Sequence, residues 1–414
     1  MLAAVLCGLA LAVPGPGQAF ALTPGGTPEL QADLAHQLAL AGPHDGAYVY
    51  DLTTKTVLFS GRATALRPPA SVEKLYTATT ALQLLGPTAR LSTEVLGAGH
   101  LGAPGVWEGD LYLRGGGDPT FGSSPFIRTH YEGVGTSVTQ LAATLAQTDG
   151  IHEVTGRILG DESYWDSHRG EPSSGYAFDP YLEGNLSALE FNRGEEGREK
   201  GAHAPAAFAA RELRAALKRE HVRVLGGSGA GATPAGATEL ATALSPTVAE
   251  LLGLMLPPSD NFFAESLVKD LGARFGGAGT TSAGAAVVSR TIAALLGVHP
   301  HVVDGSGLSP ADLTSPYQVV FLLTSLAGTP TGAVLREHMA IVGHTGTLAL
   351  RMRHTWASGH CVGKTGTLTG ASNLAGYCTS EDGHTLAFAI FNDDIATEAA
   401  HVYQDHMTIT IADY

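Results

Sequence analysis

The sequence has little positive charge, few aromatic residues and almost no cysteine. Of its 414 residues, 24 are Lys or Arg against 39 Asp or Glu, a formal net charge of −15, and only six of the cations are lysine. With no basic stripe to track a phosphate backbone, nucleic acid is excluded as a partner. Three cysteines, Cys7, Cys361 and Cys378, are too few for a cysteine-built zinc site. The seventeen histidines contain no H-E-x-x-H, and His299-Pro300-His301 reads as a surface turn, so neither a metal nor another cofactor is expected. No run of eighteen apolar residues occurs, so no stable transmembrane anchor is expected. Lys364 fails the P-loop pattern by one residue, and no serine sits in G-x-S-x-G, which leaves Ser228 and Ser306 as loop residues.

At the N-terminus, MLAAVLCGLALAVPGPGQAFAL has an apolar stretch, a Pro/Gly break and a small-x-small site at Ala19-Phe20-Ala21. It reads as a signal peptide over 1–21, although no Lys or Arg precedes its apolar core, and implies a periplasmic, extracellular or cell-wall-associated protein. Val5-Leu6 before Cys7 disfavour lipid attachment there.

Beyond it, AYVYDLTTKTVLFS (47–60) alternates like two strands around a Thr-Thr turn, and Pro68-Pro69 precede a helix from Ala70 to Leu85. From Glu94 the texture changes to short strands around one helix. This predicts an insertion over 94–238 in a main domain made of 22–93 and 239–414. The Gly/Ala/Thr stretch 226–238 reads as a linker.

Three short patterns follow in order: Ser71-Val72-Glu73-Lys74, Ser259-Asp260-Asn261 and Lys364-Thr365-Gly366-Thr367. This is the triple set of β-lactamases and penicillin-binding proteins. A serine and a lysine at i and i+3 share one helix face, so the Lys74 amine can take the proton of Ser71, the nucleophile. Lys74 has to be neutral for that, and Lys364 supplies a second cation to depress it. Ser259 can conduct a proton to a leaving amine, and Asn261 can bond both Lys74 and substrate. Lys364, Thr365 and Thr367 would surround a terminal carboxylate, with Gly366 leaving room for substrate along the strand. Ser266-Leu267-Val268-Lys269 repeats the first pattern but reads as an ordinary helix face, and Glu265 and Glu337 read as surface carboxylates.

Around these motifs stand PPASVEKL (68–75), GDLYLRGGGDPT (109–120), GDESYWDS (160–167), PPSDNFFAESL (257–267), DGSGLS (304–309) and GKTGTLTGASNLAGY (363–377). Together they resemble the low-molecular-mass class C penicillin-binding proteins of the D-alanyl-D-alanine carboxypeptidase/endopeptidase family. The resemblance implies an α/β fold: a penicillin-recognising serine transpeptidase/β-lactamase-like core of antiparallel sheet plus helical lobe, with a reduced inserted domain. It implies a secreted serine D-Ala-D-Ala carboxypeptidase, with or without endopeptidase action. Its partners would be peptidoglycan stem peptides ending in D-Ala-D-Ala, and β-lactams as covalent inhibitors. The segment GHTGTLALR (343–351) is similar to one that precedes the K-T-G strand in the family, and Pro310 stands where an arginine often follows DGSGLS. The resemblance also implies that Asp161 and Trp165 line a pocket for the distal end of the stem-peptide side chain, Asp161 accepting its ammonium. A solvated turn carboxylate is the alternative for Asp161.

Two other functions are carried beside this one, a serine β-lactamase and an idle peptidoglycan or β-lactam receptor on the same fold. Cys361 and Cys378 fall symmetrically about Thr369-Gly370, so a tight hairpin would place them opposite each other, either bridged or as two buried thiols.

Overall fold

The computed structural model describes residues 28–148, 150–195 and 204–414. The expected signal peptide and most of the polar loop GEEGREKGAH lie outside the described residues.

The strands, in chain order, are β1 (Gly46–Asp51), β2 (Thr56–Gly61), β3 (Arg90–Leu101), β4 (Val106–Gly115), β5 (Glu153–Val154), β6 (Ile158–Asp161), β7 (Arg223–Val224), β8 (Ser228–Ala230), β9 (Thr238–Thr247), β10 (Ala340–Ile341), β11 (Cys361–Leu368), β12 (Ala371–Thr379) and β13 (Thr385–Asp393). One six-stranded antiparallel sheet runs β10-β11-β12-β13-β1-β2, so the chain's first hairpin pairs with its last strand, Tyr48 opposite Ala389. Both faces are covered, and the two-residue period of a strand divides the core between them. Phe388 and Ile390 join Val49, Leu58, Leu374 and Met407 on one side. Ala389 and Phe391 join Tyr48, Leu75, Leu267 and Val320 on the other, under the helical lobe.

A second sheet runs β7-β5-β4-β3-β9, with β6 beside β4 and β8 beside β6. Its long strands β3, β4 and β9 pair antiparallel and its short ones parallel. It packs on helix Pro205–Arg219 through a separate core that includes Leu111, Leu113, Leu141, Phe208 and Leu213.

The stretch 226–238 is not a linker. Ser228–Ala230 pairs in parallel with Ile158–Gly160, and the Thr233 N–H donates to Asp161 Oδ2 at 2.7 Å. Small residues were read as flexibility, whereas the ladder that orders them is supplied by a partner about seventy residues earlier in the chain.

The β11–β12 hairpin turns at Thr369-Gly370, where Gly370 takes φ 82°. Its register sets Cys361 opposite Cys378, and the two form a disulfide, both sulfurs buried in the core under the sheet. For a bridge of sequence separation 17, loss of the cross-link costs about 3 kcal/mol. A Cys361→Ala/Cys378→Ala protein is therefore expected to melt several degrees lower by calorimetry, with its secondary structure retained at low temperature. An unchanged melting temperature would show that the bridge adds nothing to stability.

Candidate active site

The chain enters the site through Pro68-Pro69 and Ala70, which is buried with a left-handed φ of 47°. Ser71 follows in a 3₁₀ turn, Ala70–Glu73, that runs directly into helix Lys74–Leu84. Residues three apart face the same way there. Lys74, wholly buried, donates from Nζ to Ser71 Oγ at 2.9 Å, to Asn261 Oδ1 at 2.6 Å and to the Ser306 carbonyl at 2.8 Å. Asn261 is fixed in this orientation because its Nδ2 donates to the Tyr181 carbonyl at 2.8 Å.

These three partners decide what happens when Lys74 loses its proton. A neutral amine has two hydrogens and one lone pair. Asn261 Oδ1 and the Ser306 carbonyl can only accept, so the two hydrogens stay with them. The lone pair is left facing Ser71 Oγ.

Lys364, also wholly buried, donates to Ser259 Oγ and to the Thr365 carbonyl, each at 2.7 Å. Ser259 is held with φ 66° just before helix Asn261–Phe275, whose N-cap is Asp260, bonded to the Phe263 N–H at 3.1 Å. Arg193 braces that loop. Its guanidinium pairs with Asp260 and lies 5.1 to 5.6 Å from the rings of Tyr131, Phe262 and Phe263.

Strand β11 leans on the nucleophile's turn. A Cβ on Gly366 would stand 2.5 Å from the Pro69 carbonyl and 3.0 Å from the Ser71 nitrogen, so only glycine allows this approach. Asn373 in β12 ties down the same turn by donating to the Pro68 carbonyl at 2.9 Å. The near-repeat GHTGTL is part of the arrangement, since Thr347 meets Thr365 hydroxyl to hydroxyl at 2.7 Å. The pattern thus brings together Ser71, Lys74, Ser259, Asn261, Lys364, Thr365, Gly366 and, on the next position of β11, Thr367.

Beneath Lys74 lies a cluster of acids that the sequence reading missed or misplaced. Glu265 is no surface carboxylate: it is fully buried, and its Oε1 accepts the N–H groups of Gly305 and Ser306, each at 2.8 Å. Asp304 accepts from Gly307 and Ser309 at 2.7 Å each, and the two acids shape the loop that presents the Ser306 carbonyl. Glu73 is wholly buried with neither oxygen partnered among the described residues. The i, i+4 and i, i+7 patterning of helix faces is blind to such contacts, because they are made to backbone far along the chain.

Burial pushes Lys74 down to about 8, against the pull of Asp304, Asp260, Glu265 and Glu73. Lys364 was expected to depress Lys74, and the repulsion is mutual. But Lys74 has four carboxylates to offset it and Lys364 does not, so Lys364 is the one pushed well below the usual ammonium range, by burial and then by Lys74. Burial also raises Glu73 well above the carboxylate range, Glu265 to about 8 and Asp312 to about 11.

Asp161 and Trp165 lie apart from this network. Asp161 is 3% exposed and accepts the Ser163 and Thr233 N–H groups at 2.9 and 2.7 Å, which removes the solvated-turn alternative. Trp165 is nearly buried, and together they line a small recess with Ser163, Ala206 and Ala230. Lys269 of the decoy pattern lies within helix Asn261–Phe275, apart from the network of Lys74. It is wholly buried, pairing with Asp166 at 2.5 Å and the His168 carbonyl at 2.9 Å.

The acid cluster makes a prediction about stability. Unfolded Glu73 ionises near 4.5, while the folded protein keeps it protonated to higher pH. The folded state then binds more protons, and stability falls as pH rises above about 4.5. Glu73→Gln removes that loss. Its melting temperature is expected to match the parent near pH 4 and to exceed it by several degrees near pH 9; parallel curves would mean that Glu73 ionises freely in the folded protein.

The D-Ala-D-Ala carboxypeptidase 3 (S13) family matches residues 28–180 and 181–414. The D-alanyl-D-alanine carboxypeptidase of Actinomadura sp. is 30% identical over 459 residues, which cover 91% of this chain and 82% of the relative. Carboxypeptidase DacB of Mycolicibacterium smegmatis is 30% identical over 378 residues, 86% of this chain and 78% of the relative. In fold, penicillin binding protein 4 (dacB) from Haemophilus influenzae superposes with a TM-score of 0.75 at 20% identity, over 92% of this chain and 99% of that one. The chain therefore belongs to the D-Ala-D-Ala carboxypeptidase 3 (S13) family, as a serine-type carboxypeptidase built on the penicillin-recognising fold.

Proposed function

We propose that the chain trims peptidoglycan stem peptides ending in D-Ala-D-Ala through an acyl-enzyme on Ser71, and that it also cleaves cross-linked stems as an endopeptidase. The observation that carries this reading is the lone pair of neutral Lys74, left facing Ser71 Oγ by its two acceptor-only partners.

In this mechanism Lys74 takes the Ser71 proton as Oγ attacks the carbonyl carbon between the two D-alanines. The backbone N–H groups of Ser71 and Thr367 hold the developing oxyanion. The tetrahedral intermediate collapses, the C–N bond breaks, and Ser259 passes a proton to the departing amine. Lys364, Thr365 and Thr367 receive the terminal carboxylate, and Asn261 bonds the substrate backbone. Water then attacks the ester and frees Ser71. Asp161 and Trp165 serve the distal end of the side chain, in the recess they share. The segment 94–238 is an inserted domain.

We place the protein outside the cytoplasm, with residues 1–21 as its signal peptide. The disulfide suits an oxidising compartment. Among the described residues no single helix is long and apolar enough to cross a membrane.

A class A β-lactamase uses a glutamate to activate water against the penicilloyl ester. Glu265 holds two backbone N–H groups with one oxygen, and its other oxygen is buried without a partner among the described residues. Acylation by a β-lactam should be fast and release slow. The Haemophilus protein of the same fold has been seen in complex with a β-lactam.

Two measurements test this. Benzylpenicillin should leave an adduct on intact protein that persists in mass spectra for many turnover times and blocks D-Ala release, and Ser71→Ala should show neither adduct nor hydrolysis. Rapid return to free enzyme with repeated turnover would establish the β-lactamase instead. Second, because Lys74 acts only after losing a proton, kcat/KM should climb with pH along a limb centred near 8. Lys74→Ala should lose orders of magnitude in rate and that limb with it, so a profile flat from about pH 6 to 9 would remove Lys74 as the base.

A further inference from the structure

Cations are scarce in this chain, yet five of its 24 Lys and Arg residues fall within 211–223, with His221 among them. The overall charge of −15 conceals this stripe, which the reading of composition took to be absent. Arg211, Arg214 and Lys218 stand three and four residues apart on the exposed face of helix Pro205–Arg219. Like charges at that spacing repel along a helix, while Lys218 and Arg219 in its last turn complement the helix dipole, so the two effects offset each other. At the helix end the chain reverses through His221, whose φ is 63°, into β7. Arg223 thereby joins the others around one open groove of about 530 Å³.

The groove is only partly neutralised. Arg223 pairs with Glu153. Arg214 reaches no carboxylate among the described residues, only the Val224 carbonyl at 3.5 Å, and Lys218 and His221 likewise have no acidic partner there. Its form suits a linear polymer of anions. The stripe from Arg211 to Lys218 rises about 10 Å along the helix, enough for two successive charges, and guanidinium forks match phosphate oxygens in pairs. A membrane surface fits less well. Basic helices that lie on lipid offer apolar side chains beside their cations, whereas Phe208, Leu213 and Leu217 of this helix are buried in the core beneath the second sheet.

We propose that this groove binds a linear phosphodiester polymer of the cell surface, and so holds the enzyme on an anionic matrix while the Ser71 site acts on peptide. The inference rests on the placement outside the cytoplasm and not on the catalytic reading.

The test titrates the full chain with poly(glycerol phosphate) at several salt concentrations. Binding is expected, with affinity falling as salt rises on a log–log slope of about −1.4 to −1.8 for two neutralised phosphates. Arg214→Glu/Lys218→Glu should weaken it at least tenfold, with melting temperature and D-Ala release unchanged. The charge-preserving Arg214→Lys/Lys218→Arg pair should retain it. No binding, or equal binding by the charge-reversed protein, would overturn the proposal. Tighter binding to phosphatidylglycerol vesicles, or to single-stranded DNA of equal phosphate number, would do the same and assign the groove to a membrane or a nucleic acid.

Discussion

Everything in the catalytic half of this molecule is arranged around one buried amine. Lys74 has no solvent to share its charge, so each of its hydrogens requires a partner supplied by the protein. Those partners come from three distant parts of the chain: the turn at Ser71, the start of the helix at Asn261 and the loop at Ser306. Each is secured in turn. Gly366 and Asn373 press the Ser71 turn from the sheet side, Asp260 and Arg193 brace the Asn261 loop, and Glu265 and Asp304 shape the Ser306 loop. The left-handed backbone of Ala70 and Ser259 sits at two of these junctions, where the surrounding contacts can hold a conformation that side chains disfavour.

How much of this could be read in advance follows from the range of each interaction. Ser71 and Lys74 were legible because three residues of spacing already place them on one helix face. The hairpin that bridges Cys361 and Cys378 was legible because its turn and both strands are contiguous. By contrast, the Ser306 carbonyl has no side-chain signature, and Glu265 joins backbone forty residues later. The pairing of β1 with β13 joins residues about 340 apart, which no local alternation encodes. The strand at Ser228 was misread for the same reason: its partner, Ile158, lies about 70 residues away.

Charge behaved in the same way. A sum over the chain described the solvent-facing average correctly and hid two local exceptions of opposite sign. One is the acid cluster of Glu73, Glu265, Asp304 and Asp312 behind the site. The other is the basic groove of the second sheet's helix. Burial separates their consequences. The buried acids keep protons and so carry less charge than their number suggests, while the cations of the groove face solvent.

The two lysines of the site explain why that cluster is useful to a peptidase of the proposed kind. Two ammonium groups held so close and so dry could not both stay charged, and Lys364 is the one that yields, since the acids lie nearer Lys74. A substrate brings its own carboxylate to Lys364 and restores the missing partner, so Lys364 regains its proton. The restored charge then repels the proton on Lys74, whose lone pair faces Ser71 once that proton leaves. Binding of the correct carboxylate thus moves positive charge from the base to the anion-holding lysine. In the proposed mechanism the nucleophile is activated more readily when there is a carboxylate in the site.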